Sequence, residues 1–163
     1  MNPARKQVLQ TWIAAILWLI LIAIESTDSL SAANTSRFLY PVLHFLTGVG
    51  PIRFVAWNHY IRKVGHFVGY FGLSYLLFRA WRATLPLPKM PNWSMEWAWI
   101  SFFMAALVAC LDEWHQTYLA SRTGTLSDVA LDSSAALIAQ VVIFFLLLLR
   151  SGPRMPTGSP AAS

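Results

Sequence analysis

The chain has 163 residues, 56% of them hydrophobic and 12% charged, with a mean hydropathy of +0.52. Soluble domains carry about a quarter charged residues, and eight Trp with ten Phe exceed what a small water-soluble core can hide, so a bilayer is the expected solvent. The net charge of +5 does not point to nucleic acid, because Lys and Arg cap apolar runs rather than form one stripe, and the single cysteine, Cys110, rules out a disulfide or thiolate metal site within one chain.

In chain order, the first apolar run covers residues 8–25, preceded by Arg5 and Lys6 and closed by Glu25. A signal peptide with a cleavage region at "SLSAAN" is the rival reading. The run is longer than a usual signal core, which favours a retained helix. The next segment, residues 26–63, is aromatic-rich and broken by Pro41, Gly48, Gly50 and Pro51. It predicts one or two short helices in the outer interface, or a lid packed on the helices. Further spans are predicted over residues 62–80, 97–119 and 128–149. A Gly/Pro/Ser tail, residues 151–163, has nothing to bury and is expected to be disordered. The fold class is therefore an all-α membrane protein, a four-helix transmembrane bundle with interfacial helices in the first outer loop, one domain over residues 1–150.

Lys and Arg counts give the orientation. With the N-terminus inside, inner segments hold Arg5, Lys6, Arg79, Arg82, Lys89, Arg150 and Arg154, against Arg37, Arg53, Arg62, Lys63 and Arg122 outside. That bias places both termini in the cytoplasm.

The third run rises roughly 22 Å before it meets Asp112 and Glu113, within a hydrocarbon core of about 30 Å. His66 and Tyr70 begin the second span, Asp128 and Asp132 begin the fourth, and Glu25 ends the first. Every helix thus delivers its polar residues to the outer leaflet. Asp112, Glu113 and Gln116 share a face at spacings of three and four. His115 flanks it. Gly65, Gly69 and Gly72 on the second span, and Ala135, Ala136 and Ala139 beside Asp132, form small-residue stripes that allow close helix approach. An interior pocket open to the outside is the expected result.

Blander roles compete at several positions. Thr125 and Asp128 fit a capping box, Arg62 and Lys63 fit snorkelling, and Tyr70 fits an aromatic belt. His44, His59 and His115 fit interfacial or hydrogen-bonded positions rather than ligand roles. His66, Asp112, Glu113 and Asp132 resist such readings, because ionisable groups inside spanning helices are expensive and usually functional. They are the candidate catalytic residues, unless the network only glues the helices together. Arg62, Lys63, Tyr70, Gln116, Arg122 and Asp128 are the candidate binding residues. Arg122 is expected to hold a ligand phosphate or carboxylate, or else to pair with Asp112 or Asp128. No metal or cofactor is expected: Asp112-x-x-His115 has ligand spacing, but no His-Glu-x-x-His set accompanies it.

The stretch "RKVGHFVGY" followed by "CLDEWHQTYLASRTGTLSDVALD" resembles the VanZ-like family of small bacterial membrane proteins. The shared pattern is R-K-x-x-H-x-x-x-Y, then D-E-x-x-Q, an R, and D-x-x-x-D. Here it falls on Arg62, Lys63, His66, Tyr70, Asp112, Glu113, Gln116, Arg122, Asp128 and Asp132. The resemblance implies a multi-pass protein of the bacterial cytoplasmic membrane, with a link to glycopeptide (teicoplanin) resistance. Two functions stay open. One is an enzyme acting on a lipid-linked cell-wall intermediate or phospholipid head group. The other is a non-catalytic protein that binds an amphiphile or partner protein through the same pocket. Oligomeric state is left open by the sequence.

Overall fold

The computed structural model describes residues 2–27, 32–85, 92–120, 122 and 124–150. Helices α1 (Pro3–Glu25), α2 (Ala32–Thr47), α3 (Pro51–Thr84), α4 (Met95–Gln116) and α5 (Leu126–Arg150) run in that order along the chain. The chain is all-helical among the described residues. The tail expected to be disordered lies outside them, as do Lys89 in the loop before α4 and the first half of the proposed cleavage region.

Local chemistry sets the helix starts. Asn2 caps α1 by accepting from the Ala4 N–H at 3.1 Å, with Pro3 in the first turn. Ser94 caps α4 by accepting from Glu96 N–H at 3.2 Å. Gly48 ends α2 with φ 68°, a left-handed conformation suited to glycine, and its N–H returns to the His44 carbonyl. Pro51 then opens α3, and the chain bends by 113° between α2 and α3. Residues 51–61, expected among the short helices of the outer loop, instead continue directly into the second span. The reason is local. Proline cannot extend a helix that precedes it, but its fixed φ is preorganised for the first turn of a new one. No proline interrupts α3 after Pro51.

Helices α1, α4 and α5 are long and apolar enough to cross a membrane, and the bent α2–α3 pair passes the same test together. Leu9, Leu17, Phe103, Leu107, Phe145 and Leu149 project outward from them, as lipid-facing side chains do. These are the features of a multi-pass membrane protein.

α3 is the hub. It packs against α1, α4 and α5, and α4 packs against α5. The seam of these last three helices is built from Ala105, Ala109, Ala135, Ala136 and Ala139, all fully buried. Small side chains let the backbones approach where hydrocarbon supplies no hydrophobic drive. Gln140, the one polar residue between Ala135 and Leu149, donates to Ser74 Oγ at 2.8 Å, and Ser74 donates to the Ala136 carbonyl at 2.9 Å. α1 is tied to α3 by two indoles. Trp18 donates to the Gly69 carbonyl and Trp12 to Thr84 Oγ1, both at 2.8 Å. A Cβ at Gly72 would stand 2.7 Å from the Trp18 ring, so glycine there is required by that contact.

Candidate functional site

The polar residues predicted from the sequence gather where the middle of α3 meets the C-terminal end of α4 and the N-terminal end of α5. The register of each helix explains why. On α3, His66 and Tyr70 are one turn apart and their rings stack at 6.4 Å. Tyr70 reaches α4, donating to Asp112 Oδ2 at 3.0 Å, and Gln116 donates to the same oxygen at 3.3 Å. His66 reaches α5, with Nδ1 3.3 Å from Asp132 Oδ2. Lys63 pairs with Asp128 at 2.5 Å. Asp132 is 0% exposed and Glu113 4%.

Glu113 carries an interaction that the sequence did not suggest. Its Oε2 accepts from the Thr125 backbone N–H at 2.9 Å. The Thr125–Asp128 capping box is therefore only half formed. Thr125 Oγ1 accepts from the Asp128 N–H and donates to Asp128 Oδ2 at 3.0 Å, but the reciprocal backbone donor of Thr125 goes to Glu113, and Asp128 Oδ1 goes to Lys63. The turn sits close enough to α4 that a Cβ at Gly124 would lie 2.2 Å from the Glu113 carbonyl oxygen. Gly124→Ala is expected to push the turn away and loosen the Thr125–Glu113 bond, lowering stability by about 1–3 kcal/mol. Thermal unfolding in detergent checks it; an unchanged midpoint would show that the approach is not needed.

Arg122 is 9% exposed. Its Nη2 donates to the carbonyls of Glu25 and Thr27, the latter at 3.0 Å. These lie at the C-terminal end of α1, where carbonyls lack helical partners and a cation is favoured. The contact ties the α4–α5 turn to α1, an arrangement that neither a ligand role nor a carboxylate partner anticipates. Arg122 also lines a cavity of about 230 Å³ with Glu25, Thr35, Ile61, Arg62, Gly65 and His66. Gly65, one of the predicted packing glycines, thus opens onto this cavity rather than a helix seam. Thr35 and the α1 carbonyls are the parts of the site that sequence reasoning missed.

His115 does not join the carboxylate cluster. It is exposed, and its Nδ1 lies 3.4 Å from Ser26 Oγ. A larger cavity, about 410 Å³ between α4 and α5, is lined by residues such as Trp93, Trp99, Phe102 and Phe144, and none of its described lining residues is ionisable. Ionisable residues line the smaller one. Arg62, Arg122, His66 and Glu25 line it, and His66 connects it to the buried Asp132, an arrangement able to hold an oxyanion beside groups that move protons. His66, Glu113 and Asp132 also bring ligand-type atoms within 4.8 Å of one another.

A family model described as VanZ/LLP1 matches residues 11–148. No curated protein and no solved structure matches the chain.

Proposed function

The chain belongs to the VanZ/LLP1 family, and from that premise we propose that its polar pocket receives the anionic head group of an amphiphile at the outer leaflet and acts on it. A lipid-linked cell-wall intermediate or a phospholipid is the substrate class. The observation that carries this reading is the convergence of His66, Asp112, Glu113 and Asp132 from three helices beside a cavity lined by Arg62 and Arg122. The arginines would hold phosphate or carboxylate. With Nδ1 on Asp132, His66 keeps Nε2 to take a proton, and Asp112 or Glu113 serves as the acid. In this reading α1, α3, α4 and α5 form a four-helix bundle in the bacterial cytoplasmic membrane, and α2 lies in the outer interface. The link to glycopeptide resistance follows from an action on cell-wall lipid.

The deciding experiment is turnover of lipid-linked phosphate substrates by the purified protein in detergent, beside an Asp112→Asn control. Turnover that falls at least tenfold in the control supports the enzyme. The second reading, a binding protein without chemistry, is favoured by the cations already engaged inside the protein: Lys63 on Asp128 and Arg122 on α1. Saturable binding of the same lipids with no turnover would establish it instead.

Orientation has its own test. On a Cys110→Ser background, a membrane-impermeant thiol reagent is expected to label a cysteine at Leu126, which is 87% exposed, and to miss one at Asn2. The reverse pattern would move the pocket to the cytoplasmic side and remove the outer-leaflet substrate.

A further inference from the structure

We propose that His66, Glu113 and Asp132 form a binding site for a divalent cation of the borderline class that accepts imidazole and carboxylate together, with Zn²⁺ as its probe. Each of the three mutually packed helices supplies one ligand: α3 gives His66, α4 gives Glu113 and α5 gives Asp132. Their ligand atoms lie within 4.8 Å of one another. His66 Nδ1 and Asp132 Oδ2 stand 3.3 Å apart, and ligands bound at about 2.0–2.1 Å in a tetrahedral shell are separated by about the same distance.

A hydrogen bond alone also explains that spacing, but it leaves one atom unaccounted for. Asp132 Oδ1 is buried and has no hydrogen-bond partner among the described residues, on a side chain that is 0% exposed. A buried carboxylate oxygen without a donor is rare and asks for a cause. A cation held by the trio supplies it when Asp132 binds through both of its oxygens. Glu113 is already oriented by the Thr125 N–H, the kind of outer contact that fixes a metal-binding carboxylate. One imidazole with two carboxylates suits Zn²⁺ or Mn²⁺ better than Mg²⁺ or Ca²⁺, which favour oxygen alone. The set differs from the Asp112-x-x-His115 spacing visible in the sequence, since His115 turns to Ser26.

Access is present. His66 is shared with the cavity that Arg62 and Arg122 line, and three protein ligands leave a tetrahedral position for water or a ligand oxygen. That a phosphate oxygen takes this position rests on the functional reading above; cation binding does not.

The test uses the full chain purified in detergent, stripped with a chelator and titrated by calorimetry with Zn²⁺ alone, so that its outcome is independent of any lipid substrate. One equivalent is expected to bind, with affinity falling at least tenfold in Asp132→Asn and in Glu113→Gln and unchanged in His115→Ala. Absence of binding, or equal affinity in Asp132→Asn, overturns the site. Should the variants fail to give a monodisperse protein, the wild type decides. Zn²⁺ is expected to protect His66, and not His44 or His59, from carbethoxylation read by mass spectrometry. Equal modification of His66 with and without Zn²⁺ overturns the proposal.

Discussion

Replacing Arg122 with alanine is expected to lower the stability of the detergent-solubilised protein by about 2–4 kcal/mol, the loss of charge-assisted hydrogen bonds from a buried site. The guanidinium donates to two carbonyls at the end of α1, and both lose it together. Arg122→Lys is expected to recover only part, because an ammonium is a point charge and cannot copy the planar fork. Thermal unfolding measures both variants, and lipid turnover measured on the same samples separates support of the fold from contact with a ligand. Should Arg122→Ala keep its midpoint yet lose function, the arginine acts on a ligand and its contacts with α1 are incidental.

Asp132→Asn is expected to abolish function while leaving the protein abundant in the membrane. The amide preserves shape and lipid-facing packing but removes the charge that opposes His66. Acid–base groups contribute about 100-fold to 10,000-fold, so a loss of at least about 100-fold in lipid turnover is expected. His66 and Asp132 touch at 3.3 Å, and residues acting as one unit are strongly non-additive. The double variant His66→Gln with Asp132→Asn should therefore be no worse than the poorer single variant. Additive losses would mean that the two residues work apart. Loss of the protein from the membrane in Asp132→Asn would identify the network as glue between helices.

How far the site is legible in the sequence varies residue by residue. Asp112, Glu113 and Asp132 stand out in any reading because a charge within an apolar helix is conspicuous. The Asp112–Gln116 contact follows from a four-residue spacing on one helix. The His66–Asp132 pair spans 66 positions, and no spacing encodes which faces of two helices will cross. Thr125 and Asp128 show local pattern yielding to tertiary contact. Their sequence signals a closed capping box, but Glu113 takes the Thr125 N–H and Lys63 shares the Asp128 carboxylate with the Thr125 hydroxyl. Arg122 is harder still, because its partners among the described residues include the main-chain carbonyls of Glu25 and Thr27. Carbonyls belong to every residue, so no side-chain pattern announces them.

The long helix α3 is legible in its second half and obscure in its first. Pro51 marks a boundary in either direction of reading, and only the folded chain reveals that it begins the helix that carries Arg62 and His66.

The attachment of α1 bears on how the chain is assembled. Trp18 finds its acceptor at Gly69, 51 residues later. Translation at about 5–20 residues per second makes α1 wait roughly 3–10 s for that partner. During this interval it must reside alone in lipid with two indole N–H groups unanswered. Its nearly continuous apolar circumference permits such a solitary stay. α1 is thus apolar enough to stand in the bilayer as an independent unit, and its docking contact at Gly69 exists only once α3 has been made.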